Sequence, residues 1–332
     1  MNTSILSLWY YIPKMKQSSD EVENIISESF PSIERWIIKE MTWVDTRHYV
    51  WDDEYASDLA IKASKIAMEK IWYQAQKIDL LIFASASHDI TEPATANIIQ
   101  TWLWLCCPVF DVKNACNSFL NGLEIADSMI KSWNYTTILI CSWETPSKTI
   151  KFQVENRNDF KNHFAWYTFW DAWSAIIVSW NTDKKGILLT YFYSDGQCWD
   201  IATIMWWWSR YPRDLTKNYF FWNPWRIRDM FISLWGKQFK DWLKKLNWSK
   251  NDITKIFVHQ VSMGNFQYLV EELEVEYEKF HIILPSLWNI ASCCIPVSLA
   301  QYMENNTVES WDKFIFIWFA SGFSYWLIYY EV

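Results

Sequence analysis

"VFDVKNACNSFLNGLEIADSMIKSWNYTTILICS", residues 109–142, holds a strand, a turn, a helix and a second strand in succession. The apolar start runs into a polar turn at 113–117. Phe119, Leu120, Leu123, Ala126 and Ile130 then recur at helical spacing, and "TTILICS" closes the unit as a buried strand. Just upstream, "KIDLLIFASAS" (77–87) reads as a strand and the segment 93–105 as a helix. The same order returns near the C terminus. "ITKIFVHQ" is a strand, "MGNFQYLVEELE" a helix, "IILPSLWNIASC" a strand and turn, "IPVSLAQYMENN" a helix and "KFIFIWFAS" a strand. An order used once around 77–142 and again around 253–321 predicts an α/β protein of two similar halves packed face to face. The expected halves are 1–180, which carries Cys116, and 181–332, which carries His259 and Asn289. Helices 117–130 and 295–306, poor in charge, belong between the two sheets. The join near 180–190 is a turn rather than a linker.

The composition of the 332 residues is that of a globular protein, 51% apolar and 20% charged, with one anomaly. Trp occurs 26 times and Gly 6 times, against a usual Gly share of about 7%. The indoles also sit where glycine belongs. Trp133 and Trp311 stand at junctions between elements, three indoles fill "IMWWWSRYP", and Trp170 and Trp173 flank the turn before "SAIIVS". A UGA codon reassigned to Gly but translated as Trp gives this pattern. The alternative is a Trp-rich protein with aromatic platforms, whose indoles would alternate along strands.

A net charge of −8 with scattered Lys and Arg excludes a basic nucleic-acid stripe. Seven Cys without regular spacing point to a reducing, cytoplasmic setting. The N terminus lacks a signal-peptide pattern. The C-terminal "KFIFIWFASGFSYWLIYYEV" is broken at its centre by Ala-Ser-Gly and reads as two strands around a turn, not a membrane insertion.

Three reactive side chains fall at ends of the duplicated units. Cys116 precedes a helix, whose N-terminal N–H groups and partial positive charge lower a thiol toward thiolate. His259 ends a strand, and Asn289 lies in the turn that corresponds to that of Cys116. A small buried Cys and a structural His remain the plain alternatives. Cys293 and Cys294 read as small core residues.

With Trp read as Gly, "FWDAWSA" becomes FGDAGSA, "LWNIASCCIPVSL" gains a Gly-Asn-x-Ala-Ser start, and "FASGFSYWLIYYEV" becomes a Gly-rich strand pair. On these motifs the chain resembles the β-ketoacyl-acyl carrier protein synthase III family of the thiolase superfamily, over essentially its whole length. The resemblance implies a thiolase fold, five layers in the order αβαβα, and a homodimer in fatty-acid or lipid synthesis. It implies Cys116 as acyl acceptor, His259 and Asn289 completing a triad, and an oxyanion hole from the backbone N–H groups of Cys116 and Ser321. The implied reaction is decarboxylative Claisen condensation, which needs no cofactor and uses acyl-CoA with a malonyl thioester on CoA or an acyl carrier protein. "FASGF" lacks the second Cys of degradative thiolases, and "FASASHDITEP" lacks the early Glu base of hydroxymethylglutaryl-CoA synthases. Trp36, His163, Gly264 and Phe323 are candidate substrate contacts. The family's carrier-binding Arg is absent from Gln260-Val261-Ser262-Met263-Gly264. Acyl transfer to an alcohol or amine, or an inactive partner subunit, stays open.

Overall fold

Alternating burial along short strands builds two sheets that share one pattern. The computed structural model describes residues 2–51, 55–205, 210–223, 226, 235–260, 263–284, 287 and 289–332. The first sheet runs β1 (Asn2–Tyr11), β7 (Ala172–Asn181), β6 (Thr137–Glu144), β4 (Leu80–Ala84), β5 (Val109–Val112). In it β4 is parallel to β5 and β6, β6 is antiparallel to β7, and β7 to β1. The second runs β11 (Lys255–Val258), β12 (Lys313–Ala320), β13 (Ser324–Glu331), β8 (Gly186–Ser194). There β11 is parallel to β12, and β12, β13 and β8 follow antiparallel. The path β11-β12-β13-β8 therefore repeats β4-β6-β7-β1, as the internal duplication predicts, and the C-terminal apolar stretch is a hairpin.

The repeat is incomplete at one place. "IILPSLWNIASC" was expected to supply the counterpart of β5, yet its described residues form no strand. Isolated parallel bridges stand there instead, Ile256–Phe280 just before the stretch and Phe169–Asn289 within it. Gln260 supplies the reason. Its Oε1 accepts the N–H groups of Ile283 (2.9 Å) and Leu284 (3.0 Å), and its Nε2 donates to His281 O (2.7 Å). A side chain thus takes over part of the role of a neighbouring strand.

Side-chain alternation sets the layers. Leu80, Ile82 and Ala84 of β4 face a core shared with Leu120, Leu123 and Ala126 of α5 (Ser118–Lys131) and Ile295, Val297 and Leu299 of α9 (Cys294–Asn305). Leu81 and Phe83 face the opposite side, against α3 (Ala56–Lys70) and α4 (Ala96–Leu103). Phe239 and Leu243 of α7 (Trp235–Leu246) and Phe266 and Leu269 of α8 (Met263–Leu273) pack with the second sheet. The order is helix, sheet, helix, sheet, helix, which is the five-layer thiolase fold. Each buried Leu or Ile contributes about 1.5–3 kcal/mol. Packing is close at Gly122 of α5, where a Cβ would meet Ala84 Cβ at 2.8 Å.

Over one end lies an appendage of α1 (Ser19–Ser29), α2 (Ile37–Thr42), α6 (Arg157–His163) and the hairpin β2 (Met15–Ser18)–β3 (Thr46–Tyr49). A further small sheet pairs β9 (Ala202–Ile204) with β10 (Phe220–Trp222). None of the described helices is long and apolar enough to cross a membrane.

Among the described residues five tryptophans hold left-handed backbone: Trp36 (φ 66°), Trp43 (68°), Trp72 (51°), Trp104 (55°) and Trp133 (62°). Trp72, Trp104 and Trp133 close α3, α4 and α5. In each case the next residue's N–H reaches a carbonyl five residues back: Tyr73 to Met68, Leu105 to Gln100, Asn134 to Met129. This is the helix-ending motif that glycine ordinarily fills. Asn247 (φ 55°) fills the same motif after α7, with Trp248 N–H on Leu243 O. Trp170 and Trp173 correct the expectation made for them. Neither has positive φ; both are buried, Trp173 inside β7. Trp311 is exposed and has no positive φ either.

Candidate active site

Between β5 and α5 the chain turns through Ala115 (φ 48°). Ser118 shapes this turn, its Oγ accepting Asn114 N–H (2.9 Å) and donating to Ala115 O (2.6 Å). Cys116, half-buried, therefore stands just ahead of the helix. Asn117 makes no side-chain cap. Its Nδ2 donates instead to Ser324 Oγ (2.7 Å), the first residue of β13. That bond ties the start of α5 to the 321–323 turn between β12 and β13, where Gly322 (φ 76°) and Phe323 (φ 43°) are left-handed. Phe323 O accepts Asp195 N–H (2.8 Å).

The thiol departs from expectation. Burial pushes the Cys116 thiol up, and the nearby Glu144 carboxyl adds to the effect. Desolvation outweighs the helix terminus here, so Cys116 rests protonated and its proton must be removed during reaction.

His259 follows β11, with its N–H on Ile317 O (2.9 Å). It is buried, and desolvation pulls its imidazole down to about 3. The ring is neutral across the physiological range. Its Nδ1 is buried without a partner among the described residues, and the ring stacks on Trp318 at 5.0 Å between centroids.

Asn289, also buried, accepts Trp170 N–H on its backbone carbonyl (3.1 Å). Its Oδ1 accepts Ala291 N–H (3.0 Å), so the end it offers to a ligand is the NH2 donor. Cys294 is buried close behind the Asn289 turn. It begins α9 directly after the 291–293 turn, and burial pushes its thiol up to about 11. Cys293 and Cys294 are fully buried, as core residues should be. Ala291, Phe169, Ile38 and Phe160 form a third apolar cluster against which Cys116 packs, so the appendage walls the site.

The outlying candidates are placed differently. Trp36 is exposed and precedes α2 in left-handed conformation, its N–H on Glu23 Oε2 (2.6 Å). His163 ends α6 with both ring nitrogens engaged, Nδ1 with Phe220 O (2.6 Å) and Nε2 with Asp159 Oδ1 (3.2 Å). Gly264 is exposed in the first turn of α8, with open space where a Cβ would be. The neighbouring Val261 and Ser262, Trp206–Trp208 and Trp288 lie outside the described residues. No group of three His, Cys, Asp or Glu that could hold a metal occurs among the described residues.

A buried carboxyl beside Cys116 escaped the sequence reading. Glu144 ends β6, two residues past the expected strand end, and faces the site. The only hint was a carboxylate directly after an apolar run.

Family models place the chain among known proteins. The model for 3-oxoacyl-[acyl-carrier-protein] synthase III matches residues 110–196, and that for its C-terminal part matches 243–331, together more than half of the chain. The chain belongs to the synthase III-like family of thiolase-fold enzymes. It is similar to the β-ketoacyl-[acyl-carrier-protein] synthase III of Clostridium perfringens strain SM101, 28% identical over 98% of this chain and 97% of the relative. That of Fusobacterium nucleatum is 27% identical over 97% and 96%. In structure it resembles Xanthomonas campestris OleA, crystallised as a variant with lauric acid and lauroyl-CoA (TM-score 0.88, 21% identity, 100% and 99% covered). The synthase III of Aquifex aeolicus VF5 is also similar (TM-score 0.84, 22% identity, 99% and 100% covered). This synthase III-like protein is an acyltransferase whose reaction is a decarboxylative Claisen-type condensation.

Proposed function

We propose that Cys116 is the acyl acceptor and that His259 and Asn289 drive the decarboxylative step. Cys116 sulfur attacks the carbonyl of an acyl-CoA while its proton passes to His259, and the CoA thiol leaves with that proton. A malonyl thioester, on CoA or on an acyl carrier protein, then loses CO2. The electron pair left behind forms an enolate, whose oxygen accepts from the His259 N–H and the Asn289 NH2. The enolate carbon attacks the acyl carbon, and the backbone N–H groups of Cys116 and Ser321 hold the resulting oxyanion. Collapse expels the Cys116 thiolate and frees a β-ketoacyl thioester. Leaving CO2 supplies the carbanion, so no strong base and no cofactor are required. The observation that carries this reading is the buried His259, its Nδ1 without a partner among the described residues, together with an Asn289 amide whose NH2 end is left to donate and a Cys116 packed in one apolar cluster with Ala291 of the Asn289 turn. A neutral imidazole can take a thiol proton and later donate to an enolate.

We propose further that most tryptophans of this chain are glycine in the organism, encoded by UGA. Support comes from the five left-handed indoles and from the buried indole N–H groups of Trp143, Trp170 and Trp318, which have no acceptor among the described residues. Trp318 lies against His259, and glycine there would open space beside the imidazole. The left-handed φ of Trp36 favours a glycine position over an indole that contacts substrate. The protein then acts in the cytoplasm as a homodimer.

The test separates the half-reactions, on protein made with the organism's own decoding. Asn289→Ala should acylate Cys116 at near-normal rate while CO2 release falls by about 10²–10³, the loss typical of one such donor. Blocked acylation with intact decarboxylation would contradict the assignment.

A further inference from the structure

Glu144 is buried in the contact between the halves and receives four donors, with a fifth hydroxyl, that of Ser85, shared with Trp143 O. Its Oε1 accepts Ala86 N–H (2.8 Å), Ser85 Oγ (3.1 Å) and Ser292 Oγ. Its Oε2 accepts Ser87 N–H (3.2 Å) and Ser87 Oγ (2.8 Å). Two of the donors are backbone N–H groups that can only donate, which suits a carboxylate rather than an amide. Three segments meet on this one side chain: the end of β6, the 85–87 loop that follows β4, and the short 3-10 turn Ala291–Cys293 of the other half.

That last turn is the one that holds Asn289. Ala291 N–H occupies Asn289 Oδ1, which fixes the amide with its NH2 outward. Around the same turn Ser142 Oγ meets Ser292 Oγ (2.6 Å), and Cys293 Sγ donates to Ala172 O (3.2 Å). These anchors all come from the N-terminal half, so the orientation of a C-terminal-half donor is set by N-terminal-half groups. A buried carboxylate is costly unless fully hydrogen-bonded, and a hydrophobic residue would fill this volume without that cost. The carboxylate's partners say what it does there.

We propose that Glu144 is a positioning residue for the decarboxylative step: through Ser292 it clamps the 291–293 turn and thereby aims the Asn289 amide. The proposal rests on the assignment of Asn289 as an enolate donor. Glu144 touches no substrate in this scheme. Replacing it should not weaken acylation of Cys116: burial pushes the Glu144 carboxyl up, and whatever charge it keeps opposes thiolate formation there.

Ser292→Ala removes one hydroxyl and leaves the donors from Ala86 and Ser87 in place, so it tests the link without dismantling the hub. CO2 release from a malonyl thioester should fall roughly 10- to 100-fold, the range a displacement of about 1 Å costs. The single-turnover rate of Cys116 acylation should hold. Glu144→Gln should show the same split, with acylation equal or faster. In the Asn289→Ala background, Ser292→Ala should cost nothing further, because a group that acts through Asn289 has nothing left to aim. Additive losses, or equal losses of acylation and CO2 release, would overturn the positioning role. Loss of CO2 release in Asn289→Ala with none in Ser292→Ala would also overturn it and leave the assignment of Asn289 standing. An Asn289→Ala variant with normal CO2 release would remove the assignment itself and the proposal with it.

Discussion

Replacing Trp36, Trp43, Trp72, Trp104 and Trp133 together by glycine should stabilise the chain as written. Each residue holds φ between 51° and 68°, a conformation that costs an L-residue roughly 1–2 kcal/mol and glycine almost nothing. Glycine's extra freedom in the unfolded chain returns part of that gain, so about 1 kcal/mol per site is the net expectation. Little packing is lost in exchange, because the five side chains are 57%, 72%, 93%, 83% and 70% exposed. The sum is on the order of 5 kcal/mol, comparable with the whole stability of many domains. Guanidinium unfolding of the Trp chain and of the five-glycine chain measures the difference, at unchanged slope. Asn247→Gly serves as the control: Asn tolerates the left-handed region, so its replacement should shift stability far less. A five-glycine chain no more stable than the Trp chain would refute the argument from backbone conformation.

The coding DNA should read UGA at nearly all 26 Trp positions, Trp170, Trp173 and Trp288 included, and the native mass should fall well below 40.0 kDa; UGG at most of them would contradict this. Gly122→Ala should destabilise by about 1–3 kcal/mol, as overpacking does, because the new methyl meets Ala84 Cβ at 2.8 Å; a thermal melt checks it. His259 has a folded pKa of about 3, below the unfolded value of about 6.5. The unfolded state therefore binds more protons between those pH values, and stability falls as pH drops from about 6.5 toward 3. His259→Gln should flatten that slope in denaturant titrations, and an unchanged slope would place the titration elsewhere.

What the sequence disclosed and what it hid have physical reasons. Helices α5 and α9 and the C-terminal hairpin were legible because periodicity and a central break are local properties. The missing counterpart of β5 was not, because it depends on Gln260 meeting backbone N–H groups 23 and 24 residues away. Cys116 could be placed before its helix, but the direction of its thiol shift depends on burial and on Glu144, which tertiary packing alone sets. Trp72, Trp104 and Trp133 follow the helix-end rule. Trp170 and Trp173 break it, since composition marks an odd residue without saying whether φ or close approach is at stake.

Mass spectrometry of Cys116 tests the central claim most directly. Incubation with an acyl-CoA should place one acyl group on the Cys116 peptide, and addition of a malonyl thioester should remove it with release of CO2. An acyl group on Cys293 or Cys294, no acyl group at all, or labelling that survives Cys116→Ala would contradict the account.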